Sequence, residues 1–148
     1  MEARKKRIIL IGRSGCGKTT LCQYLNHEAI RYHKTQTIQI INNTMIDTPG
    51  EYLERTNLRG ALMVTSADAD LIVLVQDATE NGTMFPPSYT SMFAKPAIGI
   101  VTKCDLATDA QIEYAKNYLT MAGAQQLFVT SSTEGSVFEP LLRYLDYD

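Results

Sequence analysis

No apolar segment of this chain approaches the length needed to cross a bilayer, and its N-terminus has no apolar stretch followed by a small-residue cleavage site. Those absences count against a membrane-spanning helix and a secretory leader, so the expected compartment is the cytoplasm. Cysteine is scarce. Cys16, Cys22 and Cys104 form neither a CxxC pair nor an even-numbered framework, which argues against a disulfide scaffold and for reduced thiols. No sign of charge dominates either: the net charge of −2 leaves no basic field for nucleic acid. The basic run Arg4-Lys5-Lys6-Arg7 is too short to make a binding face and reads as a solvated terminus ahead of the first strand rather than a docking tag. Internal repeats, low-complexity tracts and linkers are also missing, so the 148 residues are expected to form one domain, 1–148, with a core of ordinary size.

What the chain does contain is a complete GxxxxGK[ST] loop, Gly12-Arg13-Ser14-Gly15-Cys16-Gly17-Lys18-Thr19. It follows the apolar run Ile8-Ile9-Leu10-Ile11 and precedes a helical pattern opening at Thr20-Leu21. Glycines at 12, 15 and 17 allow a tight turn whose N–H groups face phosphate oxygens, with the positive end of the next helix behind them. Lys18 is expected to reach the β and γ phosphates, and the Thr19 hydroxyl to ligate Mg²⁺. Such a pattern arises by chance in roughly one chain in a hundred or fewer of this length, and the strand-before, helix-after setting makes coincidence rarer. Cys16 inside the loop sits where a positive field favours the thiolate, although a small residue that the loop merely tolerates is the simpler reading.

Strands alternate with helices along the chain, the pattern of a mostly parallel sheet with helices on both faces. Expected strands lie near 7–11, 37–41, 45–46, 71–75, 97–101 and 126–130, with Asn42-Asn43 turning a short hairpin between the second and third. Thr108-Asp109-Ala110-Gln111 is a capping box that should open a helix running to about Met121 and ending at Gly123. A second box, Ser136-Val137-Phe138-Glu139, should open a C-terminal helix. A helix is expected at about 57–67 with Leu58, Ala61, Leu62 and Val64 turned inward. Between 79 and 95, Pro86-Pro87 forbids a long helix, and Met84, Phe85, Tyr89, Met92 and Phe93 read as an irregular cover on the sheet, with a partner-binding face as the alternative.

Two further motifs fix the chemistry. Asp47-Thr48-Pro49-Gly50 ends a strand as a DxxG, whose carboxylate can hold Mg²⁺ while the Gly50 N–H senses the γ phosphate. Thr102-Lys103-Cys104-Asp105 follows another strand and matches [NT]KxD. The Asp105 carboxylate can accept from N1–H and N2–H₂ of guanine, a donor pair adenine lacks, while the Lys103 stem covers the base. Ser131 and Ser132, after the last strand, are similar to a final base-contacting loop. Thr35 or Thr37 is the candidate to touch Mg²⁺ when the γ phosphate is bound, Thr35 the better placed because Thr37 opens a strand; a plain strand-edge threonine is the alternative reading. Glu51 follows the DxxG glycine; its carboxylate can act on water or simply complement the next helix N-terminus, and its charge beside a triphosphate argues against fast unaided hydrolysis. Arg55 and Arg59 read as solvated helix charges, with reach to a phosphate or a partner as the alternative, and His27 and His33 as surface residues.

The order of these motifs resembles the translation-factor-related small GTPases over nearly the whole chain, implying a three-layer P-loop NTPase fold. More narrowly, Lys34-Thr35-Gln36-Thr37, Asp47-Thr48-Pro49-Gly50-Glu51-Tyr52-Leu53-Glu54, Phe85-Pro86-Pro87 and Lys95-Pro96-Ala97-Ile98-Gly99-Ile100-Val101-Thr102-Lys103 are similar to the EutP/PduV family. That resemblance implies a role in ethanolamine or propanediol utilisation, in bacteria that enclose those pathways in protein-shelled microcompartments. Three activities follow as expectations: a slowly hydrolysing GTP switch, an acetate kinase-type phosphotransferase using ATP or GTP, or a non-catalytic accessory whose partners are shell or pathway proteins.

Overall fold

The computed structural model describes residues 7–13, 15, 45–47, 59–67 and 69–130. The expected strand at 37–41, the turn at 42–43, the helix opened by Ser136, and Asn57 and Leu58 lie outside them.

The elements run β1 (Ile8–Ile11), β2 (Met45–Asp47), α1 (Arg59–Ser66), β3 (Leu71–Asp77), a 3₁₀ turn (Tyr89–Met92), β4 (Ala97–Thr102), a second 3₁₀ turn (Cys104–Leu106), α2 (Asp109–Ala122) and β5 (Leu127–Val129). The strands form one sheet in the order β2-β1-β3-β4-β5. Every described pairing is parallel, with Ile8 opposite Met45 and Leu71, Ile72 opposite Ala97, and Gly99 opposite Leu127. All carboxyl ends therefore share one edge.

Near-continuous apolar strands are what a parallel sheet buried on both faces requires. On one face Ile9, Ile11, Ile72, Leu74, Ala97 and Val101 pack with Leu62 of α1 and with Ala115, Leu119 and Ala122 of α2. On the other, Ile8, Leu10, Val73, Val75, Ile98 and Ile100 are as fully buried. Each such aliphatic side chain contributes about 1.5–3 kcal/mol on burial, so the sheet holds most of the stabilisation in this part of the chain.

Helix α2 begins and ends where its sequence signals place it. The Thr108 hydroxyl accepts from the Gln111 N–H (3.2 Å) and the Gln111 side chain accepts from the Thr108 N–H (2.8 Å), a closed capping box. Gly123 terminates the helix at φ 112°. Helix α1 corrects one expectation: Leu62 is fully buried and Ser66 nearly so, but Val64 is 77% exposed. Residues 62 and 66 are one helical turn apart, whereas 64 lies on the opposite side.

The segment after β3 is an irregular cover, as its prolines require. Phe85, Tyr89 and Phe93 are buried in the core, their rings tilted and edge-on at 5.4 and 5.6 Å. The cover is docked to the end of α2: the Ser88 N–H donates to the Met121 carbonyl (2.8 Å), and a Cβ at Gly123 would lie 2.0 Å from Thr90 Oγ1. Gly123→Ala should therefore combine left-handed backbone strain with a clash and destabilise by at least about 2 kcal/mol in urea unfolding. Adding Thr90→Ala should recover only part of that loss, because the backbone strain remains. A Gly123→Ala protein as stable as wild type would refute this docking.

Candidate functional site

In an open parallel sheet, ligands bind beyond the carboxyl ends of the strands, at the point where successive connections leave in opposite directions. Here β1 is that point, because β2 lies on one side of it and β3, β4 and β5 on the other. The loops leaving β1, β3 and β4 meet at this edge.

From β1 the chain passes through Gly12, which is buried, and the half-exposed Arg13 to Gly15. Gly15 has φ 82° and nothing within 4 Å of where a Cβ would stand, so backbone conformation rather than space calls for glycine there. From β4 the chain turns at Lys103, itself left-handed (φ 60°, ψ 32°). That turn directs the Lys103 ammonium across β3 to the β1 loop, where it donates to the Gly15 carbonyl at 2.7 Å and pairs with Asp77 Oδ2 at 3.1 Å.

Asp77 ends β3 and is braced from its other side. Its Oδ1 accepts from both the N–H (2.8 Å) and the hydroxyl (2.6 Å) of Thr79. Burial raises the Asp77 pKa, but the two Thr79 hydrogen bonds and the Lys103 ammonium outweigh it, and the carboxyl titrates below its ordinary value. Beneath the turn, buried Gln76 donates to the Gly82 carbonyl (3.0 Å) and accepts from the Thr83 hydroxyl (2.8 Å), holding 77–83 against the sheet. Glu80 on this turn pairs with Arg13 at 3.3 Å, a second tie between the β3 and β1 loops.

Of the residues expected to contact nucleotide, Gly12, Arg13, Gly15, Thr102, Lys103 and Asp105 are described, and the loops of β1 and β4 that carry them are joined through Lys103. Thr102 is buried with its hydroxyl donating to the Gln76 carbonyl (3.3 Å), which ties β4 to β3. Asp105 is exposed in the 3₁₀ turn just beyond Lys103. Asp47 closes β2 with its backbone opposite Leu10, at the same edge. Ser14, Cys16, Gly17, Lys18, Thr19, Thr20, Thr35, Gly50, Glu51, Ser131 and Ser132 lie outside the described residues. Cys104, between Lys103 and Asp105, is half-buried: burial pushes its thiol up, and the thiol donates to the Val101 carbonyl (3.5 Å), so it is held in the protonated form that packs against the sheet.

None of the sequence motifs includes Asp77, Thr79 or Glu80. Their signal is Gln76-Asp77-x-Thr79, a polar pair closing an apolar strand and an Asp two residues before a Thr, the spacing of an Asx turn.

A family model described as "Ethanolamine utilisation - propanediol utilisation" matches residues 5–147. The chain belongs to the PduV-EutP family. It is 44% identical over 141 residues to the propanediol utilization protein PduV of Citrobacter freundii, covering 95% of this chain and 93% of that protein. To the probable acetate kinase EutP of Escherichia coli K12 it is 30% identical over 142 residues, 95% of this chain and 89% of the relative. Among solved structures, translation elongation factor SelB from Methanococcus maripaludis superposes with a TM-score of 0.67 at 20% identity, over 99% of this chain and 33% of SelB. The FeoB G-domain from Methanococcus jannaschii gives 0.63 at 17% identity, over 99% of this chain and 100% of that domain. At these identities the structures establish the fold. This PduV-EutP member has the α/β P-loop fold of small-GTPase type, as its motif order implied.

The Asp77 brace predicts a pH dependence. A carboxyl with a depressed folded pKa contributes stability that is present above its unfolded value and lost as pH falls through the folded one. Asp77→Asn should therefore destabilise by about 1–2 kcal/mol at pH 7 in urea unfolding. The gap to wild type should narrow as pH drops below the ordinary carboxylate range. A gap independent of pH would show that the Asp77 charge has no part in the brace.

Proposed function

We propose that this PduV-EutP member is a GTP-binding, slowly hydrolysing switch serving propanediol or ethanolamine utilisation. The observation that carries the reading is the Lys103 ammonium joining the [NT]KxD turn to the Gly15 carbonyl. A lysine anchored at both loops lays its stem between a base held by Asp105 and a phosphate tail held by the β1 loop. In this reading Asp105 selects guanine, with Thr102, Lys103, Ser131 and Ser132 completing the base site. The phosphates lie on the N–H groups of 12–20, with Lys18 countering their charge.

The donor set fits magnesium, because Thr19, Asp47 and Thr35 would offer hard oxygens suited to an ion that keeps part of its hydration. Bound there, that ion would neutralise charge developing on the phosphates. Gly50 reads the γ phosphate through its N–H, and Glu51 stands next in the chain, where its own negative charge opposes attack of water on a triphosphate. Hydrolysis is accordingly slow without a partner, and attachment to shell or pathway proteins of a microcompartment is the setting in which the two nucleotide states are read.

A phosphotransferase using ATP or GTP is the second reading, favoured by the name of the 30%-identical relative, probable acetate kinase EutP. It requires a cation for the acceptor carboxylate, and Arg13, the described guanidinium on the phosphate loop, is already engaged by Glu80.

Titration with GTP and ATP in magnesium should show GTP binding at least tenfold tighter, and Asp105→Ala should lower GTP affinity by roughly 10- to 100-fold, the worth of hydrogen bonds to a charged group. Equal affinity for ATP, or an unchanged preference in Asp105→Ala, would overturn the switch reading. Acyl phosphate trapped as hydroxamate after incubation with nucleotide and acetate would establish the second reading in its place.

A further inference from the structure

Helix α1 has no basic residue in its own last turn, where a helix dipole favours one. The positive charge arrives from elsewhere in the chain. Lys95, just ahead of β4, donates from its ammonium to the carbonyls of Ser66 (2.6 Å), Ala67 (2.9 Å) and Ala69, the last by a short contact. All of its donors are thus directed at backbone oxygens that end α1 and lead into β3. Ala94, immediately before it, is held left-handed at φ 53°, a strained conformation for alanine, and Pro96 behind it accepts from the Ile72 N–H (2.9 Å). Lys95 is thereby aimed from a backbone fixed on both sides.

Topology gives this cage its meaning. The chain leaves β2 at Asp47, on the edge that carries the phosphate loop, and α1 returns it to Leu71, at the opposite edge, where Leu71 pairs with Ile8 and the next residue, Ile72, with Ala97. The cage therefore lies at the trailing end of α1, a sheet's length from the nucleotide site, while the leading end follows the DxxG motif in the chain.

We propose that Lys95 is the resident cation of a three-carbonyl site, and a positioning residue whose hold on the trailing end of α1 makes that end the pivot for the helix's response to the γ phosphate. The pivot rests on the switch reading above; the cation site does not. Three backbone carbonyls converging on an ammonium also suit a free ammonium or potassium ion of similar size, so the site can be refilled when the side chain is removed.

The test uses the full chain with Lys95→Met, which keeps the apolar stem, and Lys95→Ala, which vacates the cage. Melting temperature is measured in ammonium, potassium and tetramethylammonium chloride at equal ionic strength. Lys95→Ala should melt several degrees higher in ammonium or potassium than in tetramethylammonium, while wild type and Lys95→Met show no such difference. Absence of that selective recovery overturns the cation site. In a parallel measurement, Lys95→Met should keep GDP affinity within about twofold while its GTP-to-GDP affinity ratio falls at least about fivefold, a change that loss of stability alone would not produce. An unchanged ratio overturns the pivot and leaves Lys95 a structural peg. Wild type binding neither nucleotide overturns the switch reading and the pivot with it, and the melting series still decides the cation site.

Discussion

One ammonium joins the pieces of this site. Lys103 leaves β4 in a left-handed turn, crosses over β3 and reaches a loop that belongs to β1, a strand to which β4 is not hydrogen-bonded. Its charge is matched by Asp77, and its directionality by the Gly15 carbonyl. Lysine is a compact charge on a flexible stem with sizeable rotamer entropy, so holding it in one conformation is costly unless both ends are fixed. Here the backbone fixes one end and two acceptors fix the other. The ordering is done within the protein itself, the preorganisation that the proposed nucleotide site calls for.

The rest of the described architecture supports that span. Parallel pairing places the ends of β1, β3 and β4 on one edge; the Gln76 network holds the β3 turn down, and the Thr79 hydrogen bonds keep Asp77 ionised and oriented. The aromatic cover of Phe85, Tyr89 and Phe93 and the docked end of α2 keep water from the sheet face that supports these loops. Far from the loops, Lys95 repeats the same device: a lysine held by backbone carbonyls joins elements that are distant in sequence.

Much of this was legible in the residues. The strands β1, β3 and β4 are continuous apolar runs, and the capping box at Thr108 and the stop at Gly123 bound α2 almost to the residue. Local chemistry determines such features, so a local reading finds them. Hydrophobicity alone does not give the inward face of α1, because Val64 is apolar yet helical geometry sets it opposite Leu62. The roles of Asp77 and Lys95 depend on partners tens of residues away, and only the tertiary fold supplies those partners. The motifs named the Lys103 position, but the salt bridge that orients it could not be read from spacing alone.

The most direct test of this account is the calorimetric affinity of Lys103→Met for GTP with magnesium, measured beside its urea unfolding. The variant keeps the stem and loses the charge. Because the pair is partly exposed, its unfolding free energy should change by about 1 kcal/mol or less. GTP affinity should nevertheless fall at least about tenfold, since the loops are no longer held in register before the ligand arrives. A Lys103→Met protein that binds GTP as tightly as wild type would contradict the account.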